Sequence, residues 1–362
     1  MRFLSVMLGM IVAAGFVAGC SGNTSSPSSS LPSAGAQNRG IDGPGFRGLP
    51  INVVPARFQP KRIMPMRGKL ANAAQARGIY VGSFSGSTVW GFPKNNSGDG
   101  PPTCTVAEDG TGLSGLGVDN FGYLMIPDGF NGIEVYSNST MCGTLLGTIT
   151  DPFGQAGDAS SISAATGAIV VANLVGPGGV GPGSLSVCTL ASGTCSVNLT
   201  NPNILIAAGV AMANNGDCWA SALNPSGAPV LVYFQGCSGA GVVATGFVNP
   251  FYGGIDIDNK GNLVTLSLVD ASFSFPSLLY VYSGCNPTCT LLSSSPLAGE
   301  SIYGHVARQG KRFVTTDLIT AAVEVYSYNP HTGAALSYSF TGGLPCATDE
   351  CESAAFSPSS EK

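Results

Sequence analysis

Downstream of residue 77 the chain sets short apolar or alternating runs between clusters of Gly, Asn, Asp and Ser, and nowhere holds an amphipathic helical period for three turns. That pattern predicts short strands joined by tight turns. Its fullest instance is Gly253-Gly254-Ile255-Asp256-Ile257-Asp258-Asn259-Lys260-Gly261-Asn262-Leu263-Val264. A short alternating strand ends at Asp258, and an apolar, β-branched strand resumes at Leu263. Asp and Asn hydrogen-bond within such a turn and Gly supplies its positive φ, so the stretch reads as a hairpin.

Weaker copies align on the turn glycine at Gly122, Gly167, Gly216 and Gly310, with Gly78 as a sixth, at intervals of 44, 45, 49, 45 and 49 residues. Each is followed by a second signature: Val89-Trp90-Gly91-Phe92, Ile133-Glu134-Val135-Tyr136, Leu185-Ser186-Val187-Cys188, Val230-Leu231-Val232-Tyr233, Leu279-Tyr280-Val281-Tyr282 and Val323-Glu324-Val325-Tyr326. The interval accommodates four short strands. Six such units predict an all-β, six-bladed β-propeller over residues 78–362. Residues 352–358 read as a first strand with nothing after it, and Gly78-Ile79-Tyr80-Val81 as a second strand with no first. Joined, they make one blade and close the ring between the two ends of the domain, with Phe356 buried in the join; closure also hides edges that would invite aggregation.

The repeat Gly-Ile-Asp-Ile-Asp-Asn-Lys-Gly-Asn-Leu-Val, followed by a Val-Tyr strand, resembles the NHL-type repeat and, more broadly, six-bladed propellers of the gluconolactonase kind. The resemblance covers residues 78–358, and the copies at Gly122, Gly167 and Gly310 lack its Asp or its Gly-Asn pair. It implies a propeller, and it leaves activity open, since such propellers serve as lactonases, hydrolases and binding scaffolds. Gluconolactonase-type propellers hold a divalent cation with Glu, Asn and Asp. That set does not map residue by residue here, although Asp158, Glu300 and Glu352, where strands begin, are acids that could line one mouth of the channel.

The first 19 residues read as an export signal: Arg2, an apolar run from Phe3 to Val17, then Ala18-Gly19 before Cys20. Val17-Ala18-Gly19-Cys20 resembles the bacterial lipoprotein lipobox, which implies diacylation of Cys20; the alternative is an ordinary secretory signal. Ser21 after the cysteine resembles outer-membrane sorting in lipoproteins of Gram-negative type. Residues 20–77 then form a flexible tether, poor in aliphatic residues over its first thirty.

Charge divides the chain sharply. Residues 39–77 carry eight basic residues against one acid, whereas residues 78–362 carry six basic and nineteen acidic, a net charge of −13 that the whole-chain value of −5 conceals. The basic stretch reads either as attachment to anionic lipid headgroups or as a tether folding back on the acidic domain. Nucleic acid is not an expected partner of an exported, acidic domain.

Ten cysteines besides Cys20 agree with an oxidising compartment. The spacing pairs Cys188 with Cys195, Cys285 with Cys289, Cys346 with Cys351, and Cys218 with Cys237 across a hairpin. Cys104 and Cys142, on outer strands of neighbouring blades, remain as the last pair. A metal site at Cys285 and Cys289 is the alternative there, without a nearby His to support it. His305 and His331 are the only histidines, which excludes a multi-histidine site, and His331 falls in a turn. Asp256 and His305 occupy equivalent positions on the first strands of adjacent blades, beside the channel. They read as an acid and imidazole working together or as structural groups between blades, and Asp119 and Asp258 as turn formers. The expectation is a lipid-anchored envelope propeller acting as a binding scaffold for an envelope protein, glycan or small molecule. The alternative is a metal-dependent lactonase or hydrolase, with a divalent cation in the channel.

Overall fold

The computed structural model describes residues 77–357, excepting 84–87, 97–99, 108–114, 120–121, 129–131, 154–158, 166–167, 177–180, 190–191, 251–252, 269–275, 308–309, 342–343 and 345–350. The signal and lipobox with Cys20, the tether up to residue 76, Gly167, Asp158 and Cys346 lie outside the described residues.

The described residues form six four-stranded antiparallel units, the six-bladed β-propeller that the repeat predicts. Blade 1 holds β1 (Gly78–Ser83), β2 (Thr88–Pro93) and β3 (Cys104–Ala107); blade 2 runs β4 (Gly117–Val118), β5 (Leu124–Asp128), β6 (Gly132–Tyr136) and β7 (Leu145–Ile149). Blade 3 comprises β8 (Ala159–Ala165), β9 (Ala168–Asn173), β10 (Ser184–Thr189) and β11 (Thr194–Leu199). Blade 4 comprises β12 (Ile206–Met212), β13 (Cys218–Leu223), β14 (Pro229–Phe234) and β15 (Val242–Val243). Blade 5 comprises β16 (Ile255–Ile257), β17 (Leu263–Ser267), β18 (Leu278–Ser283) and β19 (Thr290–Pro296). Blade 6 comprises β20 (Tyr303–Val306), β21 (Arg312–Asp317), β22 (Ala322–Asn329) and β23 (Gly333–Phe340). The last strand, β24 (Cys351–Ser357), returns to blade 1.

Both sequence signatures land where the repeat put them. The turn glycines Gly122, Gly216, Gly261 and Gly310 all have positive φ, between first and second strands. Gly78 differs: it lies inside the β1 pairing, opposite Pro93 and Ser357. The six Val-Tyr-like segments are the third strands β2, β6, β10, β14, β18 and β22.

β24 pairs antiparallel with β1, placing Phe356 opposite Ile79, so it supplies the first strand that blade 1 otherwise lacks. On its other side it runs parallel to β20, with Tyr303 opposite Ser353, which joins blades 6 and 1 in one eight-stranded sheet. The first strands neighbour one another in the cyclic order β24, β4, β8, β12, β16, β20 and back to β24, as ring closure requires.

The core is divided the same way. Among the described residues six buried clusters each straddle one blade junction: Leu185 and Phe234 mark blades 3 and 4, Trp219 and Ile257 blades 4 and 5, Leu279 and Phe313 blades 5 and 6. Phe92, Val325 and Phe356 mark blades 6 and 1, Tyr80 and Leu124 blades 1 and 2, Val135 and Ile169 blades 2 and 3. Blades 4 and 5 approach so closely that a Cβ on Gly209 would sit 2.8 Å from the Gly253 carbonyl oxygen, which explains glycine there.

Among the described residues four disulfides have both partners placed: Cys104–Cys142, Cys188–Cys195, Cys218–Cys237 and Cys285–Cys289. All engage the junction of a third and a fourth strand. Two cysteines sit slightly off their expected places. Cys142 lies in the turn before β7 rather than on that outer strand, with φ of 50°, and Cys237 lies in a short 3-10 turn after β14, Gln235–Cys237. Cys351 is disulfide-bonded, while its expected partner Cys346 lies outside the described residues.

Phe356 is 2% exposed, packs with Ile79, Phe92 and Val314, and lies 5.0 Å below the Arg312 guanidinium. Phe356→Ala is expected to cost about 3–5 kcal/mol, as a large truncation in a packed junction, measured by urea unfolding. Deleting residues 351–362 should produce aggregated or unfolded protein on gel filtration. A deletion variant that melts like the parent would refute the role given to β24.

Candidate functional site

Asp256 and His305 do come together. Asp256 lies on β16 opposite Val264, and His305 on β20 opposite Val314, first strands of blades 5 and 6. His305 Nδ1 is 3.6 Å from Asp256 Oδ2, and the side chains are 6% and 1% exposed. The carboxylate is already engaged: Oδ1 accepts the Ile257 amide at 2.7 Å and Oδ2 the Val306 amide at 2.6 Å. One oxygen therefore binds its own strand and the other the neighbouring blade. The carboxylate thereby satisfies amides that would otherwise be buried unpaired, and at 1% exposure it faces protein. The geometry is that of a clasp between blades.

Asp258 acts similarly one turn away. Its Oδ1 accepts the amides of Lys260 and Asn262, its Oδ2 the Asn262 side-chain amide at 2.8 Å and the Tyr328 hydroxyl of blade 6 at 3.0 Å. Burial and then the Asp258 charge push the Tyr328 hydroxyl far above its ordinary pKa, so it stays a neutral donor. Asp119 forms the expected turn in blade 2, accepting the Tyr123 amide at 2.8 Å. Asp217 accepts the Gly236 amide and Asp317 the Glu300 and Ile319 amides. Glu300 is buried at the start of blade 6 and Glu352 lies on β24. Among the described residues, no group of three or more His, Cys, Asp or Glu is placed to share a metal ion. His331 is exposed in the β22–β23 turn.

The tyrosines of the second signature have a role that the sequence did not disclose. Tyr282 accepts the Val248 amide and donates to Asn249 Oδ1 at 2.7 Å; Tyr326 accepts the Ala298 amide and donates to Glu324. Each pins the segment that leads into its own blade. Tyr136 donates to Glu134 at 2.5 Å, repeating the Glu-Val-Tyr arrangement of blade 6. The signal available was the spacing of two residues, which puts Glu and Tyr on one face of a strand.

The sequence matches no protein-family model and no curated protein. Among solved structures, the chain is similar to one from a nidogen/laminin complex, with a TM-score of 0.54 and 11% identity over 79% of this chain and 100% of that one. It is also similar to a hypothetical selenium-binding protein from Sulfolobus tokodaii, with a TM-score of 0.52 and 10% identity over 80% of this chain and 96% of that one. At such identities the likeness is one of fold.

Two predictions follow from the clasps. Asp256→Ala strands the buried Val306 amide and should cost about 2–3 kcal/mol in urea unfolding, with His305→Gln costing less. A fully stable Asp256→Ala protein would remove the clasp. Glu324 is the second case. Burial raises its pKa most, the Tyr326 hydroxyl opposes this, and Asp317 adds to it. A raised native pKa means the native state holds the proton more tightly than the unfolded chain, so this contribution is complete below the unfolded pKa and is lost as pH rises through the native one. Glu324→Gln, which keeps an acceptor for Tyr326, should therefore gain stability over the parent at about pH 7 and lose that gain at about pH 4.

Proposed function

We propose that this protein is a lipid-anchored envelope protein whose propeller serves as a binding and interaction scaffold. The observation that carries the reading is the engagement of both Asp256 oxygens by backbone amides, together with the same use of Asp258, Asp217 and Asp317. These carboxylates hold strands, turns and blades in place, and a surface of invariant shape is what a scaffold requires. The lipobox-like Val17-Ala18-Gly19-Cys20 and the serine- and glycine-rich segment after it supply the anchor and the tether. Its partner is an envelope protein, a glycan or a small molecule.

Detergent phase partition tests the anchor: wild-type protein should enter the detergent phase, and Cys20→Ser should give unprocessed precursor or aqueous product. Wild-type protein in the aqueous phase would end the lipoprotein reading. Assay of purified protein against simple lactones tests the scaffold. No turnover is expected; turnover abolished by both Asp256→Asn and His305→Gln, with folding intact, would replace the scaffold by the hydrolytic reading.

A further inference from the structure

The lysines and arginines among the described residues are gathered in one place. Lys260 sits in the first turn of blade 5, Lys311 and Arg312 follow the first turn of blade 6, and Arg77 and Lys94 flank β1 and β2 of blade 1. No other lysine or arginine occurs among the described residues. Strand direction puts all five at the same end of three consecutive blades. β21 begins at the turn that joins first and second strands, β1 begins at the corresponding end of blade 1, opposite the end of β24, and β2, antiparallel to β1, finishes there.

The neighbourhood is continuous. The turns of blades 5 and 6 touch, since a Cβ on Gly310 would lie 2.3 Å from Asn259 Oδ1. The Tyr338 hydroxyl donates to the Lys94 carbonyl at 3.4 Å and also meets Arg312. Burial, and then the charges of Arg312 and Arg77, push the Lys94 ammonium below its ordinary pKa. Arg77, Lys260 and Lys311 are exposed, and Lys94 and Arg312 half-exposed.

Among the described residues the acid at the surface turn of this sector, Asp258, is 3% exposed and occupied by turn amides and Tyr328. Asp256 beneath it is buried against backbone. At the other end of blade 6 stand Glu300 and Asp317, with no described lysine or arginine beside them. Residues 78–362, with net charge −13, thus have their described cations on one patch, and Arg77 beside them is the last of the eight basic residues of segment 39–77.

We propose that the first-turn end of blades 5, 6 and 1 lies against an anionic lipid bilayer, with Lys94, Lys260, Lys311 and Arg312 meeting the headgroups. The inference takes its setting from the envelope reading above and deepens it, naming the surface that faces the membrane. A cation near such a surface contributes about 1 kcal/mol, a factor of about five in partitioning, and four together orient the domain. The domain as a whole is acidic, so contact with an anionic bilayer is favoured through this patch and opposed by the net charge.

The test compares full-length wild-type protein on vesicles of neutral phosphatidylcholine and on vesicles containing phosphatidylglycerol, read by amide hydrogen exchange. Protection is expected at Lys94–Asn96, Asn259–Gly261 and Lys311–Arg312 on the anionic vesicles only, and not at Leu318–Ala321 or Asn224–Gly227. The Lys94→Gln, Lys260→Gln, Lys311→Gln triple variant, which spares the Arg312 contact with Phe356, should lose that protection and keep the parent melting temperature. About 0.5 M salt should remove it as well. Equal protection on both vesicle types, protection at the opposite end, or its survival in the triple variant would overturn the proposal. If Cys20 carries no acyl chain, protein added from solution to preformed vesicles gives the same comparison, so failure of the anchor and failure of the patch are read separately.

Discussion

A four-stranded sheet exposes two apolar faces, and each blade here can bury them only against its two neighbours. Six buried clusters at six blade junctions express that constraint directly. No blade is complete in its own core, so packing is shared around the cycle and the final junction matters as much as any other. The polar groups follow the same logic. Asp256 and Asp258 reach from blade 5 to backbone or tyrosine in blade 6, and the Trp219 indole of blade 4 donates to the Cys285 carbonyl of blade 5. Apolar burial supplies the attraction, and these directed contacts fix the rotation of each blade on the next.

Much of this was legible because repeats convert a local pattern into a global one. A Gly with positive φ marks each first turn that the structure describes, and the interval to the next announces the blade. Phe356 could be placed from its distance to the missing turn, and the hairpin cysteines from strand spacing. What escaped depends on contacts between units. The sequence brings Asp256 and His305 to equivalent positions, but only the approach of Val306 shows that the carboxylate is committed to an amide. Tyr282 and Tyr326 read as strand formers, since their reach to residues 248 and 298 depends on how linkers fold over blades. Lys94, Lys260 and Arg312 are far apart in the chain and become neighbours only when blade 1 meets blade 6.

The distribution of charge separates two tasks within one fold. The acids that are described are largely spent on architecture, holding turns, linkers and neighbouring blades, and several are buried while doing so. Among the described cations, Arg312 takes part in that work, lying over Phe356 at the closing junction, whereas Arg77, Lys260 and Lys311 are exposed. Residues with few structural duties are the ones free to be read by another surface. On the proposed membrane-facing patch, stability and recognition would fall to opposite signs of charge, so that either could change with little effect on the other.

The return of β24 to blade 1 also imposes an order in time. A ribosome releases β1, β2 and β3 long before the strand that covers their inner edge, so blade 1 waits, unfinished, through the making of the other five. Every shorter chain, whether a stalled product or a clipped one, presents that open edge to proteases and chaperones. Blade 1 is thus finished only once β24 has been made, and a chain that lacks this strand keeps that edge open.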